Sequence, residues 1–312
     1  PILKDEFLYD NATFPEAHAS TITELKNGDL VASYFGGTKE RNPDVCIWVS
    51  RKPKGADKWE APIMAGDGVF QLGTADAELA GVDAKTTSAS AGPIKHRKVT
   101  MSGTLKRKAC WNPVLFTMPD GEIWLFYKVG ATVDDWTGWL VKSRDGGKTW
   151  TEREPLPKGF IGPVKNKPEL INGRLICGSS TEKNGWRFHV EILDLKTGKW
   201  KYVGIVDAEK VARTDDVVTA NNMTNPVYKE GKGPEYIYSI QPSILKLKDG
   251  RLQVLMRTHN AKLATSFSSD NGDTWSKVTL TDIPNNQSGT DAVTLKDGRY
   301  VLIYNDFETI PG

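Results

Sequence analysis

The chain has 312 residues, 38% hydrophobic and 26% charged, and a net charge of only +2 from 41 Lys and Arg against 39 Asp and Glu. That balance excludes a disordered chain and argues against nucleic-acid binding, which calls for a basic excess. No apolar run in it approaches the roughly 20 residues of a membrane span, and the length suits two ordinary domains or one large all-β domain.

Along the chain one pattern returns five times: an apolar run, a short polar step, Asn-Gly or Asp-Gly, and a second apolar run. It reads ELKNGDLVASYF around Gly28, FTMPDGEIWLFY around Gly121, ELINGRLICGSS around Gly173, KLKDGRLQVLMR around Gly250 and TLKDGRYVLIYN around Gly298. The flanks are rich in β-branched and aromatic residues, and Asn-Gly and Asp-Gly favour φ > 0, so each copy predicts a β-hairpin closed by a type I′ turn.

A second pattern follows the hairpins. Residues 143–150 read SRDGGKTW and residues 268–275 read SSDNGDTW, sharing the frame S-x-D-x-G-x-T-W. Degenerate copies, SRKPKGADKW ending at Trp59 and DLKTGKW ending at Trp200, follow the first and third hairpins. The frame suits a turn between third and fourth strands: Asp and Ser or Thr bond backbone groups, Gly takes φ > 0, and Trp plugs a gap between sheets.

A repeat of about 40–50 residues with four short strands is the signature of a β-propeller blade. The expected blades cover about 14–65, 109–158, 163–204, 236–284 and 286–312, with insertions at 66–108 and 205–235, all in a single domain spanning 1–312. The fifth blade is incomplete, and its box would fall after Gly312. A C-terminal segment or a second polypeptide is expected to complete the ring.

Three widely spaced cysteines, Cys46, Cys110 and Cys177, form no C-x-x-C pair, so neither zinc nor a disulfide framework is expected. Cys46 and Cys177 lie in apolar strand-like runs and read as buried thiols. The ten Trp are either structural plugs or sugar-stacking platforms.

The S-x-D-x-G-x-T-W frame resembles the Asp-box, or BNR repeat, of the sialidase (neuraminidase) superfamily. The resemblance spans the chain through FPEAHAST (14–21), FGGTKERNPDVCIWVSR (35–51), CWNPVLF (110–116), GPVKNKP (162–168), SSTE (179–182), QPSILKLKDGRLQVLMRT (241–258) and SGTDAVTLKDGR (288–299). These stretches are most similar to bacterial sialidase-like BNR-repeat proteins. The resemblance implies an all-β, six-bladed propeller with its active site on the central axis, of which about five blades are visible here.

In a propeller the first strand of each blade starts at the mouth of the channel and the second strand ends there. Four units place a polar residue before Pro or Ala and an apolar run: Asn112, Lys167, Gln241 and Asp291; the first unit offers His18. Seven residues after each hairpin glycine stand Phe35, Lys128, Ser180, Arg257 and Asn305. So polar a ring calls for a ligand. Lys128, Lys165, Lys167 and Arg257 point to an anionic one, and Arg257 suits a carboxylate. Glu182 is a further candidate carboxylate, and His189 a weaker candidate.

The sialidase resemblance places a catalytic Asp in the loop after the second strand, here GGTKERNPD with Glu40 and Asp44 as candidate acids. It puts Gln241 where sialidases carry a Glu that assists a nucleophilic Tyr, and that Tyr would follow Gly312. The first sialidase arginine is replaced by His18, which reads as a hydroxyl ligand, a general base or a structural histidine. Three functions remain open: an exo-acting glycoside hydrolase on a terminal acidic sugar; a polysaccharide lyase or uronate-linked glycosidase with a base such as His18; and a non-catalytic glycan-binding propeller. An acidic oligosaccharide or glycoconjugate is the expected partner, with no nucleic acid, no cofactor and no metal. The start at Pro1, without Met, fits a processed chain, and a secreted or periplasmic protein is expected.

Overall fold

Apolar runs bounded by turn residues become strands throughout. The computed structural model describes residues 5–86, 104–183, 185–211 and 236–306, and their regular structure is almost entirely β. The chain divides into two compact units, residues 1–161 and 162–312.

In the first unit, β1 (Glu16–Glu24), β2 (Leu30–Gly37), β3 (Cys46–Lys52) and β4 (Ile63–Gly66) form one antiparallel sheet in chain order. The described parts of the 66–108 insertion hold β5 (Val69–Gln71), the short helix α1 (Ala75–Leu79) and β6 (Leu105–Arg107), with β5 paired to β6. A second four-stranded sheet follows: β7 (Cys110–Thr117), β8 (Ile123–Val129), β9 (Thr137–Ser143) and β10 (Glu154–Pro155). β7 packs against β1 and β2. The second strands LVASYFGG and IWLFYKV are buried along nearly their whole length, because both faces of such a sheet are covered. Val31, Phe35, Ile47, Phe70, Trp111, Leu125 and Trp139 belong to the resulting core.

The second unit repeats the plan. β11 (Glu169–Ile171), β12 (Arg174–Thr181), β13 (Arg187–Asp194) and β14 (Lys199–Val203) form one sheet; β15 (Ser239–Lys246), β16 (Leu252–Thr258), β17 (Lys262–Ser268) and β18 (Thr279–Pro284) form the next. A hairpin of β19 (Asp291–Thr294) and β20 (Tyr300–Ile303) follows. The core gathers Ile176, Phe188, Val190, Ile244, Val254 and Met256.

All five predicted hairpins form, but only one has the predicted turn. Asn172 (φ 50°) and Gly173 (φ 77°) are both left-handed, as type I′ requires. At the other four, only the glycine has φ > 0, and its N–H donates three residues back, as in Gly28 to Leu25 (2.9 Å) and Gly250 to Leu247 (3.0 Å). These are type I turns closed by a glycine bulge. One extra loop residue makes the difference, and Asn27, Asp120, Asp249 and Asp297 cap each loop by accepting from the N–H two residues on, at 3.0 to 3.1 Å.

The octets join third to fourth strands, as expected. Asp145 Oδ1 accepts from Ser143 Oγ (2.8 Å) and the N–H groups of Lys148 (3.0 Å) and Thr149 (2.9 Å), while Oδ2 accepts from Thr149 Oγ1 (2.6 Å). Asp270 repeats this with Ser268 and Thr274. Trp150 and Trp275 pack on the two cores. The degenerate copies diverge. Trp59 donates to Glu6 Oε1 (3.1 Å), and Trp200 lies within β14, paired with Leu193.

The three cysteines are free and buried, and burial pushes the Cys46 thiol up to about 11. Among the described residues no helix is long and apolar enough to cross a membrane.

Candidate functional site

In residues 1–161 the first strand of each blade breaks its pairing near its start. β1 has a bulge between His18 and Thr21, and β7 one between Trp111 and Val114. Ala19 (φ 54°) and Asn112 (φ 32°) sit in these bulges, in a region that costs a residue with a Cβ roughly 1–2 kcal/mol. In register, His18 pairs with Phe35 as Trp111 pairs with Lys128. Ala19 is therefore the counterpart of Asn112, and His18 stands one place earlier than sequence spacing suggested.

His18 is half exposed, with Nε2 3.6 Å from Glu16 Oε2 and its ring 5.5 Å from that of Phe35. The same Glu16 oxygen accepts from the Glu40 N–H at 3.1 Å, tying β1 to the 38–44 loop. Asp44 Oδ2 accepts from the Thr38 N–H (2.9 Å) and Oγ1 (2.5 Å), so this carboxylate staples its own loop. Its Oδ1 is buried without a hydrogen bond among the described residues. Glu40 is exposed. Lys128, expected beside a ligand, is wholly buried, and its Nζ donates to the carbonyl of Asn112 at 3.2 Å. Its ammonium thus ends on the bulge backbone.

In residues 162–312, β15 repeats the bulge between Ile240 and Ser243, with Gln241 at φ 56° and Ile240 paired with Arg257. Polar groups hold the bulge from two sides. The Gln241 N–H donates to Ser180 Oγ (3.2 Å), and its carbonyl accepts from Asn166 Nδ2 (2.9 Å), which also reaches Ser243 Oγ (2.8 Å).

Arg257 lies over Trp186, its guanidinium carbon 4.7 Å from the ring centroid, within cation–π range. Nη1 reaches Gln241 Oε1 at a long 3.4 Å, and the buried Nε has no hydrogen bond among the described residues. Burial pulls its pKa down to about 10, opposed by the charge of Glu182. Trp186 donates from Nε1 to Glu182 Oε2 (3.2 Å), and its ring centroid is 3.8 Å from that of His259. Burial, then the Arg257 charge, pushes His259 down to about 4, so its ring is neutral near pH 7.

Lys165 is lowered by burial, with Asp291 opposing and Lys167 and Arg257 adding to the fall; its Nζ donates to Asn166 Oδ1 at 3.2 Å. Lys167 pairs with Asp291 Oδ2 (3.0 Å), while Asp291 Oδ1 accepts from Ser243 Oγ (3.3 Å). A Cβ on Gly289 would lie 3.4 Å from Lys165 Cε and 3.9 Å from Gln241 Oε1, so this glycine borders both groups.

One cluster thus brings together Lys165, Lys167, Glu182, Gln241, Arg257 and Asp291. Asn305 is exposed beyond β20, and Ile303 takes the register position opposite Asp291. His189 is buried with Nε2 3.1 Å from Glu191 Oε1, and Glu191 Oε2 accepts from the Gly162 N–H (2.7 Å), which makes it a brace between strand and loop. Sequence reading missed Trp186, His259, Asn166 and Glu16. His259 was within reach, since it follows Arg257 by two residues and alternation puts such residues on one face. Among the described residues no group of three His, Cys, Asp or Glu is placed to hold a metal.

A family model described as a BNR repeat-like domain matches residues 85–310. No curated protein matches the sequence. Among solved structures, the chain is similar to a Dyadobacter fermentans DSM 18053 protein of unknown function, at 16% identity and a TM-score of 0.61, covering 95% of this chain and 77% of that one. It is also similar to the NanB sialidase of Streptococcus pneumoniae (14%, TM-score 0.57, 95% and 57%). A third is the Penicillium chrysogenum alpha-L-arabinanase complexed with arabinobiose (14%, TM-score 0.52, 95% and 76%). The chain spans little more than half the length of that sialidase. Likeness at these identities shows the fold, a sialidase-like BNR-repeat β-propeller, and the described residues form four four-stranded blades.

Proposed function

The chain belongs to the BNR repeat-like domain family, and we propose that it acts as an exo-acting glycoside hydrolase of sialidase-like type, removing a terminal acidic sugar of the sialic or uronic acid kind from glycans. Arg257 carries this reading. It is a largely desolvated guanidinium on a Trp face, with Nη1 on a neutral amide and, among the described residues, no hydrogen bond from Nε or Nη2. Such an edge fits a carboxylate with two parallel N–H···O bonds. Lys165, held by a neutral amide, adds to the anion preference. Fold likeness to a sialidase and an arabinanase supports sugar chemistry.

In residues 162–312, Arg257, Lys165, Lys167, Gln241, Glu182 and Asp291 would bind the acidic sugar, with Asn305 a further candidate. In residues 1–161, Glu40 and Asp44 are the candidate acids, Asn112 and Lys128 shape the mouth of their blade, and His18 is a candidate base. We take residues 1–312 as one domain of a six-bladed ring, acting outside the cytoplasm, secreted or periplasmic, on acidic oligosaccharides or glycoconjugates. The test is release of free sugar from sialyl or uronyl conjugates, lost in Asp44→Asn or Glu40→Gln. No release from any acidic glycan overturns the hydrolase, and binding without turnover would leave a glycan-binding propeller.

His18 beside Glu16 favours a second reading, a lyase. A carboxylate-paired imidazole would take the proton next to a cation-neutralised sugar carboxylate as the glycosidic oxygen leaves. An unsaturated product absorbing in the ultraviolet separates the two, and its absence rules the lyase out.

A further inference from the structure

We propose that Trp186 is a positioning residue that aims the Arg257 guanidinium at the carboxylate of its ligand, itself fixed by Glu182 and His259. The proposal rests on the reading of Arg257 as the carboxylate-binding group. Buried arginine is costly unless its N–H groups find acceptors, and Arg257 has one long hydrogen bond, to Gln241. The Trp186 face, 4.7 Å away, adds a cation–π contact, and Nε stays buried with no hydrogen-bond acceptor among the described residues. A carboxylate bonded directly to the guanidinium would occupy the edge a ligand needs. Glu182 instead accepts from the Trp186 indole at 3.2 Å, so its charge acts on Arg257 from the edge of the ring.

Trp186 is itself held. It is 4% exposed, its N–H is spent on Glu182, and the His259 ring sits 3.8 Å from it. The His259 backbone N–H donates to the Tyr238 carbonyl at 3.3 Å, which anchors the chain beside this ring. The neutral state of that ring matters, because an imidazolium would add a second cation beside Arg257. The result is a guanidinium held against an indole face, with one long hydrogen bond from Nη1 and none from Nε among the described residues, a group whose chemistry suits planar, bidentate recognition.

The test compares glucuronate with the neutral glucuronamide by titration calorimetry on the full chain, in wild type, Trp186→Ala, Trp186→Phe and Arg257→Gln. Trp186→Ala is expected to lose at least tenfold in affinity for glucuronate and less than threefold for glucuronamide. Trp186→Phe keeps the π face and loses the N–H, and is expected to recover most of the acid preference. A structural role alone would weaken both probes alike. Equal loss for both, or no loss for either, overturns the positioning role while Arg257→Gln still shows whether the anion reading holds. If Arg257→Gln binds glucuronate as wild type does, the anion reading itself fails. Thermal melting of each variant separates these results from unfolding. Should Trp186→Ala not fold, Trp186→Phe and Trp186→Leu carry the comparison, and the proposal is overturned if Leu preserves the acid preference as fully as Phe.

Discussion

The mouths of two blades use one backbone device for different ends. At β7 and at β15 the strand kinks through a non-glycine residue with φ > 0, Asn112 in one and Gln241 in the other. One residue before each kink, the partner strand contributes a cation, Lys128 opposite Trp111 and Arg257 opposite Ile240. Lys128 is wholly buried, and its ammonium closes on the kink carbonyl. Arg257 touches only the tip of Gln241, because Asn166 already holds the kink carbonyl. A cation that satisfies backbone is a staple. A cation whose backbone task another side chain has taken is free to bind.

Arg257→Gln should show the largest effect, about 100-fold lost affinity for an acidic sugar, equivalent to about 2.7 kcal/mol, with neutral sugars little affected. Calorimetry with matched acid and amide probes reads it, and equal losses would erase the distinction between the two mouths. Lys128→Met should instead cost about 1–3 kcal/mol of stability by orphaning a buried carbonyl, with the acid preference unchanged. Urea unfolding measures the first, and a change in preference would make Lys128 a ligand group after all.

Next comes a pH effect at the Arg257 mouth. His259 titrates near 4 in the folded chain, from an ordinary 6.5. The unfolded chain therefore binds more protons between these values, and stability falls as pH drops through that window. His259→Gln should flatten this slope, and an unchanged slope would show that His259 is not held neutral.

The smallest effect belongs to the boxes, the reference for polar groups that are purely structural. Burial pushes the Asp145 carboxyl up, but bonds from Thr149, Ser143 and Lys148 outweigh it and bring it down to about 2. Its contribution is fully present above the usual carboxylate range and fades as pH falls toward 2. Asp145→Ala should cost about 1 kcal/mol in urea unfolding and leave sugar affinity untouched. Any change in affinity would mean that the box is coupled to the site.

Blade periodicity was legible because it rests on local chemistry. Glycine turns, alternating apolar strands and Asp-capped octets each leave a mark within about ten residues of sequence. The turn type was misjudged at four of five hairpins, since the dipeptide is the same and only loop length separates type I′ from type I with a bulge. Propeller geometry singled out Arg257, Gln241, Lys167 and Asp291, and the structure places these four in one cluster with Lys165. Trp186 was missed because what recommends it is a ring contact with His259, in a segment far away in sequence, and His259 because only its two-residue spacing from Arg257 marks it. Lys128 was assigned to the ligand because spacing gives the position of a residue on a strand but not which acceptor its ammonium meets.

The central claim, that Arg257 binds a sugar carboxylate, is tested most directly by titrating the intact chain with N-acetylneuraminate and with glucuronate, each beside its methyl ester. At least one acid should bind tenfold or more tighter than its ester, with the difference shrinking as salt rises. Equal binding of acid and ester, or no binding of either acid, would contradict it.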